Sequence, residues 1–279
     1  MKFPKLLPLL FVGSLFVFSS CSEDDKENDP DPIPGDKICR PVKVTAEDGV
    51  TAITYNNDKI STFSNEEFGN VTVSYHTSGN KAGKPSKLTF AAGEEGTGSL
   101  EYVYDEQGKL IGNAFVTAQM QGGGLVAEYE YTQNRVSKIT RAMVFPSEEE
   151  GGEPDVVMMG FTTYEYDAKG NVTVAREFFD NPATEEDEST TPQSVTQYTY
   201  DNKPSPVSAF EALFMGVPTI NPASPNNILT AVHREGNTVK KDLSYTNVYV
   251  FNENGYPTKT TQTTQNGETT VTNIDYSCN

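Results

Sequence analysis

The chain has 279 residues, with 39 acidic against 21 basic side chains and a formal net charge of −18. A field of that sign repels nucleic acid and anionic lipid surfaces, so neither is an expected electrostatic partner. Only His76 and His233 are present. There is no His-x-x-x-His, no Cys-x-x-Cys and no Lys-Ser/Thr after the Gly122, Gly123, Gly124 run, so the usual metal, redox and nucleotide motifs are absent and no cofactor is expected.

Residues 1–20 read as a secretory signal: Lys2 and Lys5 supply the charge, residues 6–18 the apolar stretch, and Ser19 and Ser20 the small pair before Cys21. The apolar stretch is too short for a bilayer span. A Cys in that position, followed at once by polar residues, looks like a bacterial lipoprotein processing site, with Cys21 acylated and made the new N-terminus. Residues 21–38 are rich in Asp, Glu and Pro and bury too little apolar area to offset the entropy of ordering, so they read as a disordered tether. The acids beside the anchor resemble an export signal for outer-leaflet lipoproteins. The expected location is therefore the outer membrane, lipid-anchored and facing the exterior, with the acyl chains as the only membrane contact. Loss of the signal leaves 19 basic residues against 39 acidic ones.

Residues 39–279 read as one β-repeat domain, expected to be a monomer. Cys39 and Cys278 lie at its two ends, and in an oxidising compartment such a pair favours a disulfide over two free thiols. Closing so long a loop is worth on the order of 5 kcal/mol in the chain-entropy description, and it requires the first and last strands to lie side by side.

Between the cysteines an aromatic pair spaced by two recurs, followed by an Asx-to-Gly turn. The clear copies are Tyr102, Tyr104, Asp105, Gly108; Tyr164, Tyr166, Asp167, Gly170; and Tyr249, Phe251, Asn252, Gly255. Weaker copies are Ile53/Tyr55, Val73/Tyr75, Tyr129/Tyr131, Tyr198/Tyr200 and Ile274/Tyr276. Residues two apart share a strand face, and those between them are Glu or Thr in several copies, so one face is aromatic and buried and the other wet. The Asx side chain can accept from an amide two residues on, and the Gly supplies the left-handed residue that closes the hairpin. Asn57-Asp58 and Gln133-Asn134 mark tighter turns. Eight such units give about sixteen strands in an all-β, up-and-down antiparallel meander, curved or closed into a barrel-like sheet.

The widest gap in the pattern begins at Ser205-Pro206, a helix start; Val207, Phe210, Leu213 and Phe214 follow at helical spacing and Gly216 ends the run. A short helix near 206–216 is expected across the mouth or open edge of the sheet. Acidic loops at 146–154 and 180–192 lack the alternating oxygen ligands around a sharp Gly turn that calcium needs, and read as solvated. A glycosidase-type acid pair is not singled out among the 39 carboxylates, so no catalytic residues are assigned. The tyrosines' strict spacing makes them core, with a sugar-stacking platform as the alternative; binding aromatics are better sought off the repeat, at Phe145, Phe178, Phe179 or in the helix region.

The Tyr-x-Tyr-Asp-x-x-Gly units, the acylation site with its acidic tether and the helical interruption resemble a family of secreted bacterial lipoproteins of unknown function with a porin-like fold. The single units also resemble the tyrosine-aspartate repeats of large surface toxins. The first resemblance implies a curved or closed β-meander and supplies no activity. The expected function is that of a non-enzymatic surface lipoprotein binding an extracellular ligand, a glycan or a partner envelope protein. A structural or adhesive element is the alternative, and a hydrolase a third reading.

Overall fold

The computed structural model describes residues 37–278 apart from 48, 66–68, 94–95, 121, 148, 150–151, 180–189, 207 and 219. The signal, Cys21 and nearly all of the tether lie outside the described residues, as does most of the 180–192 loop. The strands are β1 (Cys39–Ala46), β2 (Gly49–Asn56), β3 (Lys59–Asn65), β4 (Gly69–Tyr75), β5 (Pro85–Gly93), β6 (Gly96–Tyr104), β7 (Leu110–Thr117), β8 (Gly124–Thr132) and β9 (Arg135–Phe145). They continue with β10 (Asp155–Tyr166), β11 (Val172–Phe179), β12 (Ser194–Pro204), β13 (Asn226–Glu235), β14 (Thr238–Val239), β15 (Tyr245–Phe251), β16 (Pro257–Thr264) and β17 (Thr269–Cys278). Each pairs antiparallel with its sequence neighbour. The two-residue β14 only extends the edge of β13, which pairs on with β15. The other sixteen are staves of one barrel.

The barrel closes where β1 pairs with β17, in a register that sets Cys39 opposite Cys278 and Pro41 opposite Tyr276. The two cysteines are bridged, 239 residues apart in sequence. The meander is therefore closed, and its open edge, which a helix was expected to cover, does not exist: backbone pairing all round leaves no edge to protect.

Period-two patterning sorts the wall. Phe63, Val71, Leu88, Phe90, Leu100, Ile139 and Val172 point into the lumen and are almost wholly buried. Between them the outward positions carry charge, with Lys87 bonded to Glu101 at 2.7 Å, Arg176 to Glu165 at 2.7 Å and Lys138 near Glu130 at 3.4 Å. A stave shifted by one residue would drive these ions inward, so the pattern fixes the register.

At one rim the repeat builds a ladder. Tyr55, Tyr75, Tyr104, Tyr131, Tyr166, Tyr200 and Tyr276 donate their hydroxyls to the carbonyls of Pro41, Ile60, Pro85, Leu110, Val136, Val172 and Pro257, near the start of the neighbouring strand, at 2.6–2.8 Å. The residue before the acceptor is often basic and lies over the same ring: Lys59 on Tyr75, Lys84 on Tyr104, Lys109 on Tyr131 and Arg135 on Tyr166. Those cations also tie one turn to the next, Lys59 Nζ donating to Gly83 O at 2.9 Å and Arg135 Nη1 to Asp167 O at 2.8 Å. Burial pushes Tyr104 and Tyr131 up to about 12.

The turns follow the local chemistry. Gly108, Gly170 and Gly255 have φ of 80°, 96° and 80°, and each amide returns to the carbonyl of Asp105, Asp167 or Asn252. The Asx side chain accepts chiefly from the amide four residues on, as Asp105 Oδ1 does from Lys109 N at 2.7 Å and Asn252 Oδ1 from Tyr256 N at 3.0 Å; Asn252 also takes the amide of Asn254, two on. Asn57-Asp58 and Gln133-Asn134 have positive φ at both residues, the mark of two-residue hairpins.

Candidate functional site: a plugged barrel lumen

A sixteen-stave barrel encloses more space than inward side chains can fill. The insertion between β12 and β13 takes up much of it. The insertion is rooted by buried amides: Asp201 accepts from Lys203 N, Asn227 N and Asn227 Nδ2, while Asn171, fully buried, bonds Asp167 and Asn226. Burial works to raise the Asp167 carboxyl, but hydrogen bonds from the Asn171 side chain and the local backbone amides outweigh it and hold the group below the usual carboxylate range.

From that root, helix α1 (Ser208–Phe214) turns into the lumen. Its start lies two residues inside the predicted 206–216 span, and it packs within the barrel rather than across the mouth or an open edge. Phe210 and Phe214 meet Phe63 edge-on, with ring centroids 4.5 and 5.7 Å apart. The carbonyls at the helix end, which have no partner within so short a helix, are taken by wall side chains. Tyr102 donates to Leu213 O and Tyr129 to Met215 O, both at 2.6 Å; Asn113 Nδ2 also reaches Met215 O, and Arg141 Nε donates to Gly216 O at 2.9 Å. Gly216 ends the turn at φ 96°, so close to the wall that a Cβ there would lie 2.9 Å from that of Ala127. Tyr102 and Tyr129 are thus both buried core and the hooks that hold the plug.

The plug leans on β3 and β6–β9. On its other side, facing β1, β2, β12, β13 and β15–β17, a cavity of about 530 Å³ remains, bordered by Tyr198, Tyr200, Tyr245, Tyr249 and Asn247 and reaching the rim at Pro41 and Pro257. This volume lies in the range of ordinary small-molecule sites. Of the described residues bordering it, Glu211 on α1 is the one that carries charge, and none is Lys, Arg or His. Burial pushes the Glu211 carboxyl up to about 7, with the Ser224 amide hydrogen bond as the opposing influence. Asn221 Nδ2 donates to the Tyr198 hydroxyl at 2.8 Å, and Tyr249 donates to Ile228 O at 2.7 Å. Burial also raises Tyr198, Tyr200 and Tyr245, and takes Tyr249 to about 12.

Of the residues singled out in the sequence, Tyr198, Tyr200 and Tyr249 meet at this cavity. Tyr164 and Tyr166 line the adjoining wall, and the turn residues Asp105, Gly108, Asp167, Gly170, Asn252 and Gly255 form the rim. Phe251, which has no hydroxyl, lies under Lys203 at 3.5 Å. Of the off-repeat aromatics, those of the helix region, Phe210 and Phe214, border the cavity, whereas Phe178 stacks on Phe161 at 4.5 Å, and Phe145 and Phe179 are exposed at the opposite strand ends. His76 rests edge-on against Tyr104, and His233 Nδ1 pairs with Thr196 Oγ1. Among the described residues no group of three or more His, Cys, Asp or Glu could hold a metal. Glu211 was missed by sequence reasoning. Its one signal is an acid amid Phe210, Leu213 and Phe214, which reads equally as the wet side of a surface helix.

Among the described residues no helix is long and apolar enough to cross a membrane. The staves run from seven to twelve residues, so length does not separate them from membrane-spanning strands. The outward ions do, since a lipid-facing barrel presents an apolar band on its outside and keeps polar groups within.

No family model matches the chain, and no curated protein matches it in sequence. Solved structures share its fold. A porin-like protein from Bacteroides vulgatus aligns with a TM-score of 0.53 at 12% identity, covering 85% of this chain and 99% of its own. A porin-like protein from Bacteroides uniformis aligns with a TM-score of 0.50 at 13% identity, covering 88% and 98%. At these identities the likeness is one of fold, a closed porin-like β-barrel.

Proposed function

We propose that the chain is a non-enzymatic surface lipoprotein, held to the outer membrane through Cys21, whose plugged barrel binds an extracellular ligand, a glycan or a segment of a partner envelope protein, in the lumen. The observation that carries this reading is the cavity beside α1. A barrel wall that is charged outside and filled by its own insertion is unsuited to conduct ions across a bilayer, yet it keeps one rim-reaching pocket of mixed aromatic and polar lining. The fold neighbours support a non-enzymatic barrel at the cell envelope.

The test has two arms. Palmitate labelling of the full chain in a Gram-negative host is expected to be lost in Cys21→Ala. Glycan-array and envelope-extract binding is expected to weaken on filling the cavity with Thr272→Phe. Steady ion conductance in planar bilayers, or binding indifferent to Thr272→Phe, would overturn the reading.

A further inference from the structure

We propose that the lumen cavity selects ligands bearing an organic ammonium group, which pairs with the Glu211 carboxylate while its carbon frame lies against the tyrosine rings. The proposal rests on the ligand-binding reading above and names the chemistry of the bound group.

The argument is one of an incomplete charge pair. Removing a carboxylate from water is costly unless a cation or several donors accompany it. Glu211 receives the Ser224 amide, and the described residues around the cavity supply no Lys, Arg or His. Charged and titratable groups facing it are the phenols of Tyr198 and Tyr200 from β12 and of Tyr245 and Tyr249 from β15, while β1, β2, β16 and β17 contribute Val44, Ile53, Thr260 and Thr272. Phenols raised by burial stay neutral and offer no counter-charge. They do offer aromatic faces, which attract cations most strongly when water is excluded. Tyr245 adds a further phenol at the cavity border. An acid, a cluster of neutral rings and space for a small molecule together make a complementary environment for an ammonium ion and a poor one for an anion.

The linkage has a definite sign. With the free carboxyl titrating near pH 7, a cation binds the ionised form, so its affinity rises with pH through about 7 and levels off above.

The test uses the mature chain with choline and its uncharged isostere 3,3-dimethylbutan-1-ol as probes, read by calorimetry and by shifts of the tyrosine NMR signals at pH 8. Choline is expected to bind about tenfold or more tightly than the alcohol, a difference on the scale of one desolvated cation–aromatic contact plus an ion pair. In Glu211→Gln that preference is expected to vanish while binding of the alcohol persists, and in Glu128→Gln on the outer wall it is expected to stay. Circular dichroism confirms the fold of each variant. Equal binding of both probes, no binding of either, or a choline preference surviving Glu211→Gln overturns the proposal. Should array glycans bind and be blocked by Thr272→Phe but not by Glu211→Gln, the pocket reading stands and the ammonium reading falls.

Discussion

Two arcs of the same barrel meet the same requirement in different ways. From β3 to β9 the lumen face is mainly aliphatic and aromatic, with Phe63, Val71, Leu88, Phe90, Leu100 and Ile139 packed to near-zero exposure against each other or the plug. From β12 to β17 the lumen face alternates Thr, Asn and Tyr. Thr260, Thr272, Asn247 and Tyr245 stand where the other arc has Leu, Val and Phe, and the cavity lies there. Short hydroxyl side chains leave volume unfilled and bring polar atoms that must be satisfied, whereas branched aliphatics close it. One arc therefore supplies stability and the other supplies room.

The staple is in the loose arc. Cys39 and Cys278 join β1 to β17, beside the cavity, where hydrophobic packing contributes least to holding the seam. The double variant Cys39→Ser/Cys278→Ser is expected to lose up to about 5 kcal/mol in urea unfolding, with hydrogen exchange rising first in β1, β16 and β17. Uniform loss of protection would erase the distinction between the arcs.

The packed arc is tested next. Phe63 is 1% exposed and meets both plug phenylalanines, so Phe63→Ala is expected to cost about 3–5 kcal/mol. Thr272→Val, of nearly the same shape in the other arc, is expected to change stability by less than about 0.5 kcal/mol. Chemical denaturation of the two side by side checks this, and comparable costs would show that both arcs are equally tight.

Glu211 sharpens the comparison through pH. Its folded-state value, about 7, lies above its ordinary 4.5, so the folded protein holds this proton more tightly than the unfolded chain does. Its contribution is then fully present below about pH 4.5, is lost as pH rises through about 7, and amounts to about 2 kcal/mol after allowance for the water-sized space beside it. Glu211→Gln removes the titration, so its melting temperature should exceed that of the parent at pH 8 and match it near pH 4.5. Parallel melting curves at all pH values would mean that the carboxyl is solvated.

The strands, the rim turns, the seam and the helix were legible because each rests on short-range chemistry: same-face aromatics two apart, a Gly three after an Asx, a lone pair of distant cysteines. Where the helix goes was not legible, since a short amphipathic segment can cap an edge or fill a lumen, and only closure of sixteen staves decides between them. The stacked cations were legible but unread: Lys59, Lys84, Lys109 and Arg135 each stand directly before the restart of the apolar pattern. A Gly-closed hairpin turn of the same kind, Thr264 to Gly267, was also missed, because Thr replaces the Asx and no aromatic pair precedes it.

The smallest effect expected concerns the ladder itself. In β15 the hydroxyl that reaches the neighbouring strand belongs to the first aromatic, Tyr249, which donates to Ile228 O, while Phe251 at the usual position is covered by Lys203. The plug's roots explain the slide. Asn226 and Asn227 occupy the first positions of β13 and donate their side-chain amides to Lys203 O and Asp201 Oδ2, while Lys203 Nζ covers the ring that would otherwise face those positions. Tyr75→Phe, which deletes the bond to Ile60 O in the packed arc, is expected to cost about 1 kcal/mol. Phe251→Tyr adds a hydroxyl to a ring already covered by Lys203 beside the side-chain network of the plug's root, and is expected to give no gain. A gain equal to the Tyr75→Phe loss, measured by urea unfolding, would mean that the ladder is indifferent to the plug and that the two arcs differ in side chains alone.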